Sequence, residues 1–235
     1  MIVPGQPLPR AFYQRDPVAV ARDILGMELL YATPEGEIGG YIVETEAYHG
    51  HRDAASHAYR GRTDRNAVMF GPCGHAYVYF TYGMHHCFNI VTGVQDEPAA
   101  VLVRAVHPSR GVELMRRRRG PLSRERGERA LRDLVNGPGK LCQAFGLTRE
   151  HNGSDLTGMP LTIQAPREGG SCSGNPDAAE IVITTRIGIT RDVQLPWRFY
   201  IKDDPFVSVR HRDAEKDLES FVGQTRQDQA QGESA

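Results

Sequence analysis

Two carboxylates two residues apart interrupt an otherwise apolar run, Tyr41-Ile42-Val43-Glu44-Thr45-Glu46-Ala47-Tyr48. On a β-strand this spacing places Glu44, Glu46 and Tyr48 on one face and Val43, Thr45 and Ala47 on the other. Carboxylates in such a strand are costly unless they reach water or a partner. Either this is an edge strand with a wet polar face, or at least one carboxylate sits in a site, where it can act as a general base. A second anomaly offers the partner. Arg104 interrupts Ala99-Ala100-Val101-Leu102-Val103-Arg104-Ala105-Val106, and a guanidinium in an apolar strand needs an anion or a carbonyl. Glu44 or Glu46 meets that need. The pair is either a structural ion pair or part of a site, and a carboxylate beside arginine stays ionised, as a base must.

Three further places have chemical character. The segment His75-Ala76-Tyr77-Val78-Tyr79-Phe80-Thr81-Tyr82-Gly83-Met84-His85-His86-Cys87-Phe88-Asn89 is rich in alternating aromatics, which suits a strand and a cross-strand ladder. Tyr82 precedes Gly83, where the strand should turn, so its ring projects from a hairpin tip. A ring there is either exposed by accident or built to insert, and in a DNA enzyme it would insert into a base stack. Asn136-Gly137-Pro138-Gly139-Lys140-Leu141 joins a helix start to small residues and a cation, the makings of an anion site for a backbone phosphate. Its glycine spacing is not that of a nucleotide P-loop. The histidines His49, His51, His57, His75, His85 and His86, with Cys87, offer a metal-dependent hydrolase as a rival. No H-E-x-x-H or C-x-x-C frame is present and His85 and His86 point to opposite strand faces, so no metal ligands are assigned.

These groups need elements to hold them. A helix is signalled by Asp16 as N-cap, Pro17 at the first position and Gly26 as terminator, with Val18, Ala21, Ile24 and Leu25 on one face. Residues 27–32 and 40–47, joined at Pro34-Glu35-Gly36, read as a hairpin, and 77–81 with 88–91 as a second. Residues 99–106 read as a strand buried on both faces. Basic helices are expected near 110–118 and 123–135, and a third from Gly137-Pro138 to about residue 146. Later strands are expected at 161–164, 181–189 and 198–201, with a surface loop at 168–176. The pattern is one mixed α+β domain over residues 1–212, followed by a polar, disordered tail over 213–235.

The 235 residues, 40% hydrophobic and 24% charged, suit one generous globular domain. No apolar run approaches the roughly 18 residues of a membrane span. Met1-Ile2-Val3-Pro4-Gly5 has neither the basic nor the apolar region of a secretory signal. Cys73, Cys87, Cys142 and Cys172 suggest neither a zinc ribbon nor a disulfide frame. The expected setting is the reducing cytoplasm. A net charge of −1 argues against a generally basic nucleic-acid binder, but basic residues crowd one stretch: Arg104, Arg110, Arg116, Arg117, Arg118, Arg119, Arg124, Arg126, Arg129, Arg132 and Lys140. They form either a solvated helix face paired with Glu113, Glu125 and Glu128 or a phosphate-facing surface. Composition leaves both open.

In their order along the chain, these motifs resemble the alkyladenine (3-methyladenine) DNA glycosylase family, the compact type of mammals and many bacteria. The likeness is carried by Val43-Glu44-Thr45-Glu46-Ala47-Tyr48, Asp53-Ala54-Ala55-Ser56-His57, Arg65-Asn66-Ala67-Val68-Met69-Phe70, Tyr77-Val78-Tyr79, Tyr82-Gly83-Met84, Asn89 and Leu102-Val103-Arg104-Ala105. It continues through Gly137-Pro138-Gly139-Lys140-Leu141-Cys142-Gln143-Ala144, Arg186-Ile187-Gly188-Ile189 and Arg198-Phe199-Tyr200, and so spans about residues 10–210. The resemblance implies a curved antiparallel sheet with surrounding helices and a protruding, DNA-inserting hairpin. It implies that Glu46 is the general base and that Arg104 and the Ile187 carbonyl help to place the attacking water. By the same likeness Tyr48, His57 and Tyr79 wall the pocket for a flipped purine, Asn89 excludes guanine and Tyr82 fills the gap left in the duplex. Met84, Arg65, Met69, Gly139 and Lys140 are expected on the DNA surface. The implied partner is duplex DNA with damaged purines, bound by a monomer without cofactor or membrane, at the nucleoid in a bacterium. No catalytic lysine stands out, so hydrolysis without lyase chemistry is expected. A non-catalytic nucleic-acid-binding module remains the other alternative. The chain departs from the mammalian pattern at His85-His86, in a shorter connection near residues 61–65, and in its tail.

Overall fold

The computed structural model describes residues 2–81, 83–120, 127–167 and 180–216. Among these, eight strands form one curled antiparallel sheet. They are β1 (Glu28–Thr33), β2 (Gly36–His49), β3 (Ala76–Thr81), β4 (His85–Thr92), β5 (Ala99–Arg110), β6 (Leu161–Gln164), β7 (Ile181–Thr184) and β8 (Arg198–Ile201). The order β3-β4-β5-β2-β1-β6 makes β2 a hub: it pairs with β5 along one edge, and on the other with β1 first and β8 further on. β7 adds to β8. Both hairpins lie where the alternation predicts them, and the predicted strand over 181–189 ends at Thr184.

The helices are α1 (Arg10–Tyr13), α2 (Pro17–Asp23), α3 (Val112–Arg119), α4 (Glu128–Arg132) and α5 (Pro138–Phe145). α1 has no forerunner in the sequence reading. α2 starts as its cap requires: the Asp16 carboxylate accepts from the Val18 amide at 2.8 Å. Its buried face is Val20, Ala21 and Ile24, whereas Val18, expected inside, is only half-buried. Val18 still packs against the core, as do Ala21, Ile24 and Leu25, and the reading omitted the fully buried Val20. Of the expected second basic helix, residues 123–126 lie outside those described and residues 133–135 form a turn, which leaves α4. The whole of the loop expected at 168–176 and residues 217–235 of the tail also lie outside the described residues. Residues 212–216 form a helical turn in which Glu215 accepts from the Tyr200 hydroxyl at 3.0 Å.

α2 packs on β2 and β5, α5 on β4 and β5, and α3 on α5. This face of the sheet supplies Val43, Ala47, Val103 and Ala105 to the main core, and the Thr45 hydroxyl there donates to the Ala21 carbonyl at 2.7 Å. The opposite face carries Glu44, Glu46 and Arg104, and beside them a smaller cluster of Ala58, Met69, Tyr77, Val91 and Ala100. Separation of the two sets by strand alternation leaves the second face free to build a site.

Candidate active site

Arg104 owes its aim to a break in register. Between Ile42↔Val106 and Glu44↔Ala105 the extra residue is Val43 of β2; between Glu44↔Ala105 and Thr45↔Val103 it is Arg104 of β5. The two bulges offset one another, so pairing resumes beyond them. Bulges re-aim side chains, and they recur beside active sites. The Arg104 guanidinium donates through Nε to Glu44 at 2.8 Å and lies through Nη1 3.1 Å from Glu46 Oε1. Burial works against its charge, but Glu46 and then Glu44 outweigh that and raise its pKa.

The two carboxylates, both without solvent exposure, are held differently. Glu44 accepts from Arg104, from Arg198 Nε at 2.8 Å, and from the Ser208 amide and hydroxyl at 2.6 and 2.9 Å. Glu46 accepts from the Ile187 amide at 2.8 Å and the Tyr48 hydroxyl at 2.8 Å, and forms an ion pair with Arg104. Tyr48, Arg104 and Ile187 all line a cleft of about 550 Å³. Glu46 therefore lies directly behind the cleft wall, whereas Glu44 is locked into the structure around the chain's later segment.

Behind Tyr48 is an ion pair that sequence reasoning missed. Arg186 donates to both Asp53 oxygens at 2.5 and 2.8 Å and to the Ala47 carbonyl at 3.0 Å, with both side chains fully buried. Its guanidinium is stacked 4.7 Å from the Tyr48 ring centre and 5.2 Å from that of Trp197. The Ala54 amide donates to Asp192 at 2.6 Å, tying the loop after β2 to the loop after β7. The signal for Arg186 was available: like Arg104, it stands in an apolar stretch, Ile181-Val182-Ile183-Thr184-Thr185-Arg186-Ile187-Gly188-Ile189.

The rest of the cleft is aromatic and polar. Tyr79 and His57 meet edge to face at 4.5 Å, and His57 Nδ1 lies 3.0 Å from the Tyr77 hydroxyl. Burial of the ring, then Arg65, hold the His57 pKa below its ordinary value, so the imidazole is neutral at pH 7. Burial pushes the Tyr77 phenol up to about 12 and raises Tyr79 further, so both remain uncharged. Tyr77 was not singled out as a site residue, although alternation puts it on the Tyr79 face. Asn89 is buried in the lining and its amide donates to the Tyr77 carbonyl at 3.1 Å. Met69, expected on the DNA surface, is instead 2% exposed and packed with Tyr77 at the cleft wall, where it completes the smaller core.

At the rim, Arg65 is exposed, lies 5.3 Å over the Tyr79 ring and donates to the Phe80 carbonyl. Tyr82 lies outside the described residues; next to it Gly83 takes φ +66° and Met84 is 70% exposed. Pro138 brings the start of α5 to the cleft. A Cβ at Gly139 would stand 2.9 Å from the His85 ring, so this glycine serves close packing of helix and hairpin. Lys140 Nζ donates to Asp133 and Asn136, each at 2.9 Å. In the basic stretch, Arg118 bonds the Phe145 carbonyl and Glu35, Arg119 bonds Gln143, and Arg116 lies 3.3 Å from Glu113. Arg117 is exposed.

Comparison with known proteins settles the family. Residues 11–205 match the family model described as methylpurine-DNA glycosylase. The chain belongs to this family. It is 48% identical over 202 residues to a Carboxydothermus hydrogenoformans protein provisionally named 3-methyladenine DNA glycosylase, covering 86% of this chain and 98% of that one. A Methanoculleus marisnigri protein of the same provisional name is 49% identical over 209 residues, covering 86% and 99%. A third, from Rhodopseudomonas palustris, is 47% identical over 205 residues, covering 87% and 92%.

The chain is thus a DNA glycosylase of the methylpurine type, an enzyme of DNA repair. The metal-dependent rival is not favoured, since no cluster of three or more His, Cys, Asp or Glu is placed to hold an ion among the described residues. In this glycosylase the histidines are dispersed: His57 meets Tyr77, His107 meets Asp204, and His151 meets Tyr31. No helix among the described residues is long and apolar enough to cross a membrane.

Proposed function

We propose that this glycosylase hydrolyses the N-glycosidic bond of an alkylated or deaminated purine flipped from duplex DNA, with Glu46 as the general base. Water attacks the anomeric carbon, its proton passes to Glu46, the sugar–nitrogen bond breaks with its electrons going to the purine, and an abasic sugar remains. The observation that carries this reading is the Glu46 carboxylate itself, held by two hydrogen bonds and an ion pair from three residues that each line an aromatic cleft. A ring-alkylated purine is cationic and leaves readily, so one carboxylate to place water and offset an oxocarbenium-like sugar suffices, unlike the pair used by ordinary glycosidases. Tyr48 on one side, with His57 and Tyr79 on the other, stack the base. A neutral His57 adds no charge against a cationic ring. Arg104 and the Ile187 carbonyl orient the water, and Asn89 excludes the 2-amino group of guanine.

Base flipping requires a plug for the duplex, a role we assign to Tyr82, with Met84, Arg65, Gly139 and Lys140 at the DNA face. The enzyme works as a monomer on duplex DNA in the cytoplasm, at the nucleoid in a bacterium. Among the described residues the cleft lining includes no lysine, which supports base release without strand cleavage. Incubating Glu46→Gln with duplexes carrying one defined lesion tests the central claim: binding persists and release falls by about 10²–10⁴-fold. A variant that still releases base at the original rate would end it. Strand scission by the unaltered enzyme without alkali would refute the absence of lyase chemistry.

A further inference from the structure

The Glu46 carboxylate is occupied unevenly. Oε1 accepts from the Ile187 amide and lies 3.1 Å from Arg104 in an ion pair, whereas Oε2 holds the Tyr48 hydroxyl alone among the described residues. An ionised carboxylate accepts about four hydrogen bonds, two at each oxygen. The acceptor position left over is therefore on Oε2, beside the phenol. We propose that the Tyr48 hydroxyl, beyond the stacking role of its ring, is a positioning group for the general base. Its O–H fixes Oε2 and favours the anion, leaving a single lone pair to receive the proton of the attacking water. This deepens, and rests on, the reading of Glu46 as the base.

Two features make Tyr48 suited to the task. Burial, then the adjacent Glu46, raise its phenol well above the ordinary range, so it is a donor throughout the working pH range. The ring is also held from behind. Arg186 stacks on it at 4.7 Å and is itself pinned by both oxygens of Asp53, so the hydroxyl has little freedom to leave Oε2. The other charged or titratable groups facing the pair are Arg104 and Glu44 in the sheet, Arg186 behind, and Tyr79 and Cys87 across the cleft. His57 is also part of the cleft wall.

Tyr48→Phe keeps the ring and removes only the hydroxyl. Single-turnover release of 7-methylguanine, whose methylated ring nitrogen carries a permanent charge, is measured across pH with the duplex held saturating. Loss of a donor to the anion makes Glu46 easier to protonate, so the acid limb of the rate profile moves up by about one pH unit. Duplex affinity stays within about twofold, because stacking is retained. Tyr48→Leu shifts the same limb but also weakens binding. His57→Gln leaves that limb in place, which separates the carboxylate from the imidazole. A Tyr48→Phe profile superimposed on that of the unaltered enzyme overturns the proposal. If Glu46→Gln is inert while Tyr48→Phe leaves the limb unmoved, only this proposal falls. An active Glu46→Gln removes the base itself.

Discussion

Glu44 and Glu46 share the Arg104 guanidinium, at 2.8 and 3.1 Å, yet only Glu46 is also bonded to Tyr48 and Ile187 of the cleft wall. Arg104, Arg198 and the Ser208 hydroxyl converge on Oε1 of Glu44 and the Ser208 amide holds its Oε2, and of these four donors only Arg104 lines the cleft. The spacing that made both carboxylates candidates hides a division of labour set by their surroundings.

That division is measurable. Glu44→Gln leaves Arg104 and Arg198 facing a neutral amide, and removing one member of a buried ion pair costs about 3–5 kcal/mol. Urea unfolding should register this loss, whereas Glu46→Gln should lose turnover with much less effect on unfolding. The reverse pattern would exchange the two roles.

Asp53→Asn should destabilise by about 3 kcal/mol or more, since Arg186 would keep its charge without an anion. It should also slow base release, because Tyr48 and the Ile187 amide both depend on where Arg186 lies. A variant with normal melting and normal single-turnover rate would make the pair dispensable.

Asn89→Ala should increase release of undamaged guanine relative to alkylated adenine. Rejection of an extra amino group relies on clash or unpaired polar atoms, and the buried Asn89 side chain is anchored to the Tyr77 carbonyl. Unchanged selectivity in a competition between the two bases would place the gate elsewhere.

DNA affinity should decline with salt by roughly 0.9 log units per log unit for each phosphate neutralised, despite the near-zero net charge. Arg117→Ala should reduce the slope. Arg118→Ala should chiefly lower stability, because Arg118 is bound to Phe145 and Glu35. Titrations at several salt concentrations decide this, and a flat response would return the basic stretch to a solvated helix face.

The strands around the site were legible because period-two alternation is local: it needs only the residues from Tyr41 to Tyr48. The cap of α2 was equally local, in Asp16 and Pro17. What escaped reading depends on distant partners. The bulges at Val43 and Arg104 exist only in the register between β2 and β5, which neither strand encodes alone. Asp53 and Arg186 are 133 residues apart, so although the apolar stretch around Arg186 marks it as needing a partner, nothing local to either residue names the other. Val20 was missed because a helix of two turns packed on the sheet buries more than one stripe, while Val18, Ala21, Ile24 and Leu25 all meet the core as their spacing suggests.

The Ser208 donors reach Glu44 across 164 residues, and the Ile187 amide reaches Glu46 across 141. Synthesis proceeds from the N-terminus, so both carboxylates leave the ribosome long before the groups that complete them. Contacts of such long range form late, because the chain must first lose the entropy of closing a large loop. The catalytic apparatus is therefore among the last features to assemble. A half-made chain has a scaffold for β1 and β2 but no working base, and activity arrives only with nearly the whole domain.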